Sequence, residues 1–231
     1  MLRDTIDGLN NVFDTDVYRG AVILITGPPG SLKSGFSYNL LSKYLANTNE
    51  FGMYMTLEET TESHLRNMQS LGIEIPDNLL ISDYSDIRKR FEGDEEHPDF
   101  IEMIEGVIKF FKAKEGDNFS CFALDSLGAL YSLTETANLR AKMFHFFKFL
   151  REKNLTSFII METPRYSNIQ HNLGSEGFLV DGIIEMGNIE TQHDIMLYMQ
   201  VQKMRACSHS RKKHLIEIGD DGLSVLGPVF E

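Results

Sequence analysis

The chain is poor in several things, and each shortage narrows what it can be. It has only two cysteines, Cys121 and Cys207, far apart in its 231 residues. Cys121 sits in the apolar run 119–124 and reads as a buried thiol in a strand, and nothing in the sequence calls for a disulfide. Seven histidines are scattered without CxxC, HExxH or comparable ligand spacing, which argues against a protein-bound transition metal. No apolar run is long enough to span a bilayer. The first residues, Met1-Leu2-Arg3-Asp4, carry an early acid and no long apolar stretch, so they do not read as a secretory leader and the expected compartment is cytoplasmic. Positive charge is also short. Lys and Arg number 22 against 34 Asp and Glu, a net charge of −12. That balance opposes loose, charge-driven binding to nucleic acid or anionic lipid, without forbidding a small basic site on an acidic body.

What is present suffices for a core. The hydrophobic fraction is 42%, and the length suits one α/β domain over residues 1–231. Strand-like runs are expected at 21–26, 53–57, 79–82, 119–124, 158–161, 182–186, 196–201 and 215–218. Between them lie helix-period segments. Residues 34–45 read as one helix and 62–71 as another, with Leu65 and Met68 on one face and Gly72 as its stop. Ile101, Ile104, Ile108 and Phe111 mark a third, and Leu139, Met143, Phe146 and Leu150 a fourth, whose phenylalanines read as core. The charged stretch 85–99, containing Glu92-Gly93-Asp94-Glu95-Glu96, reads as a solvated loop. Strand–helix alternation followed by a strand-rich tail predicts a mainly parallel central sheet flanked by helices, finished by C-terminal antiparallel strands.

Gly27-Pro28-Pro29-Gly30-Ser31-Leu32-Lys33-Ser34, followed by Gly35, lies between an expected strand and an expected helix. The P-loop pattern G-x-x-x-x-G-K-[ST] requires that context. Every anchor is present except the second glycine, which is Leu32. The spacing has a chemical reason. Backbone N–H groups must wrap an anion, so bulky side chains have to stay out of the way. The helix start near Lys33 aims its positive end at the phosphates, Lys33 would reach the β- and γ-phosphates, and the Ser34 hydroxyl would ligate Mg²⁺.

Two acidic segments extend the pattern. Phe122-Ala123-Leu124-Asp125 is an apolar strand ending in an acid, the Walker B form. There Asp125 would hold Mg²⁺, with Ser126 in support, although an acid in that place can also cap the following turn. Glu58-Glu59 closes the strand after the P-loop helix. A carboxylate at that edge can polarise an attacking water. Adjacent residues face opposite ways, so one of the two is expected at the water. The alternative is charge at the start of the helix that Thr60 and Glu62 open.

Taken together these residues resemble the KaiC-like family of RecA-fold ATPases. The likeness runs from about Thr5 to the C-terminus, on Gly27 to Ser34, Glu58-Glu59-Thr60, Leu124-Asp125-Ser126 and Lys203-Met204-Arg205. The resemblance implies an ATP- and Mg²⁺-dependent P-loop ATPase with Glu58 and Glu59 as its catalytic glutamates. It implies that Lys203 and Arg205 reach across a subunit boundary toward a neighbour's γ-phosphate, that His209 ends the same string, and that copies assemble as a homo-oligomeric ring, commonly a hexamer, with ATP between subunits. A regulatory or signalling role with a protein partner fits such a family. Ala206-Cys207 stands where Gly-Thr is usual. The paired hydroxyls that clock-type members phosphorylate would fall near Gly177-Phe178, which carry none, so hydrolysis is expected rather than autokinase activity.

Smaller features keep other readings in view. Glu162-Thr163 closes a strand where RecA-like folds sense the γ-phosphate, or caps a turn. Arg211-Lys212-Lys213-His214 could touch nucleic-acid phosphates, or form an exposed edge or subunit contact. Leu32 favours a non-hydrolysing nucleotide switch, in which binding drives assembly without turnover.

Overall fold

The computed structural model describes residues 2–91, 99–134, 137–163, 176–191 and 194–229. Within them the chain runs β1 (Val22–Gly27), α1 (Lys33–Ala46), β2 (Phe51–Thr56), α2 (Thr61–Ser70), β3 (Leu79–Asp83) and α3 (Tyr84–Arg90). It continues with α4 (Phe100–Glu115), β4 (Phe119–Asp125), α5 (Leu127–Leu133), α6 (Leu139–Glu152), β5 (Thr156–Glu162) and the single turn α7 (Glu176–Leu179). The tail is β6 (Gly182–Glu190), β7 (Ile195–Met204), β8 (His214–Gly219) and β9 (Gly222–Pro228). The strands form one nine-stranded sheet in the order β3-β2-β4-β5-β1-β6-β7-β8-β9. It is parallel from β3 to β6 and antiparallel from β6 onward.

The central strands are buried on both faces, as parallel sheets must be. Side chains of β1 alternate between two cores. Ile23 and Ile25 pack with α1 on one face, while Val22 and Leu24 pack with α4 and α6 on the other. Cys121 and Ala123 against Phe122 and Leu124 repeat the alternation on β4. Ile101, Ile104, Ile108 and Phe111 are all buried on α4, in agreement with their helical spacing. At this size such a two-sided core has hydrophobic burial as its main favourable term, at about 25 cal/mol per Å² of apolar area.

Parallel register aligns one rim. Gly27 stands opposite Glu162, and Thr56 stands opposite both Asp83 and Asp125. The carboxyl ends of β1, β2, β3, β4 and β5 therefore present their turn residues together, where ligands of open α/β sheets bind.

Several expectations need correction. Residues 85–90 of the presumed solvated stretch are helical, within α3. Asp83 accepts from the Ser85 and Asp86 amides, Asp86 reaches back to the Asp83 amide, and Ile87 is buried, so a capping box holds a charged helix that has one core anchor. Glu92 to Glu96 lie outside the described residues. Helix α5 and strand β9 were not anticipated. On α6, Phe146 and Phe147 are core, but Phe144 is half exposed. No helix among the described residues is long and apolar enough to cross a membrane.

Candidate active site

The loop after β1 is built by close approach. A Cβ on Gly27 would lie 2.0 Å from the Met186 carbonyl oxygen, so only glycine fits. Gly30 takes φ +79°, a region glycine enters freely. Leu32 is also left-handed, at φ 62° and ψ 26°, and immediately precedes α1. The loop has the turn that a glycine would give it, at a backbone cost of roughly 1–2 kcal/mol. The Leu32 side chain offsets part of that cost by packing on the core beside α1. Ser31 Oγ donates to the Pro28 carbonyl at 2.8 Å.

Lys33 is buried at the first turn of α1. Its Nζ donates to the Pro28 carbonyl at 2.9 Å and lies 3.6 Å from Glu162 Oε1. Burial lowers its proton affinity, against the pull of Glu162, Asp125 and Glu58. The sequence left the job of Glu162 open, and the structure places its carboxylate beside the P-loop lysine. Thr163 donates its amide to the Gly27 carbonyl at 3.0 Å, which ties the ends of β5 and β1 together.

Asp125 closes β4 and is 7% exposed. Tyr54 OH donates to its Oδ2 at 2.8 Å. Burial raises the carboxyl's proton affinity and the Glu58 charge adds to the rise, while hydrogen bonds from the Ser34 and Tyr54 hydroxyls oppose it. Asp125 is not the cap of the next helix. Ser126 is, through its Oγ and the Ala129 amide, and the same hydroxyl donates to Glu58 Oε1. The peptide between Asp125 and Ser126 is cis.

The paired glutamates separate. Glu58 is exposed on the rim, near enough to Lys33 and Asp125 to act on both by charge. Glu59 turns toward α2. Its Oε1 meets His64 Nδ1 at 3.0 Å, and its Oε2 accepts from Ser63 Oγ at 3.0 Å and Asn67 Nδ2 at 2.9 Å. Thr60 caps α2 by accepting from the Ser63 amide. An open cleft of about 520 Å³ adjoins the pair, lined by Leu57, Glu58, Glu59, Tyr84 and Leu133 among others. Tyr54 and His64 were missed by sequence reasoning. The spacing of Glu59, Ser63 and Asn67 at i, i+4 and i+8 could have revealed the α2 cluster.

Lys203 and Arg205 do not join this group. Lys203 pairs with Ile183 near the start of β6, and the Arg205 amide donates to the Asp181 carbonyl, beside the first residue of β1. Six strand residues separate that end from the P-loop, about 20 Å. Lys203 Nζ donates to the Gly177 and Val180 carbonyls at 2.9 and 2.7 Å. Arg205 Nη1 lies 3.2 Å from Asp181 Oδ1. His209 Nδ1 is 3.0 Å from the Cys207 carbonyl. In the basic run, His214 is buried against Ser210 and Leu226, and Lys213 lies over the Tyr198 ring, so of the four only Arg211 and Lys212 are exposed.

Comparison with known proteins decides the family. A family model described as "ATPase: KaiC" matches residues 2–229. The chain belongs to the KaiC family of ATPases. The circadian clock oscillator protein KaiC of Parathermosynechococcus lividus is 25% identical over 229 residues, covering 95% of this chain and 41% of that protein. This KaiC-family chain therefore spans about two fifths of the clock proteins it matches. A UPF0273 protein of Thermotoga maritima is 26% identical, over 97% of this chain and 95% of its own length. The crystal structure of a KaiC-like protein from Pyrococcus horikoshii OT3 superposes with a TM-score of 0.78 at 23% identity, covering 96% of this chain and 97% of that one, which shows a shared fold.

The rim suits a nucleotide and its cation. The Gly27 turn has no room for a side chain, a buried ammonium lies in the loop, and Ser34 and Asp125 bring hard oxygen donors together.

Proposed function

We propose that this chain hydrolyses ATP with Mg²⁺ at a site completed by a second copy of itself. One placement carries the reading: Lys33, Ser34, Asp125 and Glu58 meet on the carboxyl rim, while Lys203 and Arg205 sit at the other end of the sheet. Charged groups about 20 Å away cannot serve their own P-loop. In a ring they can serve a neighbour's, where a guanidinium stabilises charge on the transferring phosphoryl group. The loop amides and Lys33 would hold the phosphates, with Ser34 and Asp125 holding the cation. Mg²⁺, when bound, supplies charge neutralisation on the phosphate oxygens. Glu58 orients water at the rim, and Ser126 holds that carboxylate in place. A soluble regulatory role, exerted through ring assembly and a protein partner, follows from the family resemblance.

The test is phosphate release from Mg²⁺·ATP across a protein concentration series, beside Glu58→Gln. Specific activity is expected to rise with concentration, and the variant to be silent. A second reading rests on the strained Leu32, which suits a switch that binds and assembles without turnover. ATP-dependent assembly with no phosphate release from the wild type would favour it.

A further inference from the structure

We propose that Glu59, His64 and Tyr54 form a buried brace that fixes the Asp125 carboxylate for its cation, so that Glu59 is a positioning residue and not a second base. The inference rests on the reading that Asp125 holds Mg²⁺.

Tyr54 and His64 are both 0% exposed. The Tyr54 hydroxyl donates to Asp125 Oδ2 at 2.8 Å, and Ser37 Oγ lies 3.5 Å from the same hydroxyl. One oxygen of the carboxylate is thereby fixed in direction, beside the Ser34 hydroxyl that also bonds the carboxylate. The Tyr54 ring cannot swing. His64 stacks on it with centroids 4.4 Å apart, and Tyr38 meets both rings edge-on at 5.4 and 5.2 Å. The imidazole is set in turn by Glu59, which accepts at Oε1, while Ser63 and Asn67 hold Oε2. Both Glu59 oxygens are thus engaged by α2, whereas the Glu58 carboxylate is held by Ser126 on the turn after β4.

The choice of histidine supports this. An apolar ring would fill the same space, yet His64 Nε2 is buried with no hydrogen-bond partner, which costs stability. What the imidazole adds is the link from Glu59 to the Tyr54 ring.

The test is calorimetric titration of ADP, with Mg²⁺ and with EDTA, into the wild type, Tyr54→Phe, His64→Phe and Asp125→Ala. Tyr54→Phe keeps the ring and removes the donor. It is expected to leave metal-free ADP affinity within about twofold and to cut the gain from Mg²⁺ about tenfold, the worth of one hydrogen bond to a charged group. His64→Phe keeps the stack and breaks the Glu59 link, and should move the same quantity in the same direction by about threefold. The proposal is overturned if Tyr54→Phe leaves the Mg²⁺ gain intact while Asp125→Ala abolishes it. It is equally overturned if Tyr54→Phe weakens metal-free and Mg²⁺-bound ADP by the same factor, which is a general loss of the loop. If Asp125→Ala itself retains the Mg²⁺ gain, the assignment of Asp125 fails, and that failure is separate from the brace.

Discussion

Glu58 and Ser126, on turns that follow β2 and β4, are joined by a hydrogen bond from the serine hydroxyl to the carboxylate. Its neighbour Glu59 is instead committed to three residues of α2. Single substitutions should therefore differ sharply. Glu58→Gln should lower turnover by about 10²–10⁴, the range for a positioned base, with nucleotide affinity retained. Glu59→Gln should retain measurable turnover and shift its Mg²⁺ dependence upward. Equal losses of turnover at saturating Mg²⁺ would put both carboxylates at the water.

The distance between Arg205 and its own P-loop makes a different prediction. Arg205→Ala and Glu58→Gln subunits are each expected to be inactive alone. Mixed in one ring, some interfaces pair an intact Arg205 with an intact Glu58, so phosphate release should reappear on mixing. A mixture as silent as its parts would mean that Arg205 does not act across an interface.

The fold was legible because alternation of strand and helix is a local signal, and the apolar spacing on α4 matches what the core buries. The P-loop was legible because its anchors are contiguous. Helix α3 was not, since caps at Asp83 and Asp86 hold it rather than a periodic apolar face. Nor was β9, whose two core residues, Leu223 and Val225, stand among glycines and a proline. The division between Glu58 and Glu59 depends on what α2 and β4 bring to each carboxylate, and sequence order alone contains no such information. The same holds for Tyr54, a strand residue whose hydroxyl finds its partner only through the register of β2 against β4.

Asp181 gives a prediction in pH. It is buried, accepts from the Val22 amide at 3.0 Å, and meets Arg151 at 2.8 Å and Arg205 at 3.2 Å. Burial alone would raise its proton affinity, but Arg151, the Val22 amide and Tyr18 outweigh it and the pKa falls below 3.8. A folded-state value below the unfolded one stabilises the protein above the unfolded pKa, and that contribution is lost as pH falls through the folded value. Asp181→Asn should thus cost about 2–3 kcal/mol in urea unfolding at pH 7. The gap should narrow only as pH falls through the ordinary aspartate range and on toward the depressed folded value. A gap already closed at pH 5 would contradict the depressed value.

Leu32 offers the sharpest test of the loop geometry. In ordinary helical or extended backbone, Gly is less stable than Ala by about 0.5–1 kcal/mol, because it loses more freedom on folding. At φ 62° the order should reverse, since any Cβ there meets the carbonyl that follows it. Leu32→Ala keeps this strain and loses the packing on the core, so it should destabilise by about 1–2 kcal/mol. Leu32→Gly loses the same packing and relieves the strain, and should lie about 1 kcal/mol above the alanine variant, close to the wild type. Thermal or urea unfolding of the three proteins without nucleotide reads this order directly. ADP affinity should follow it, with the glycine variant binding at least as tightly as the wild type, because the loop amides then turn around the phosphates without a side chain to carry. An alanine variant more stable than the glycine variant would mean that residue 32 leaves the left-handed region in solution, and the turn drawn for this loop would be wrong.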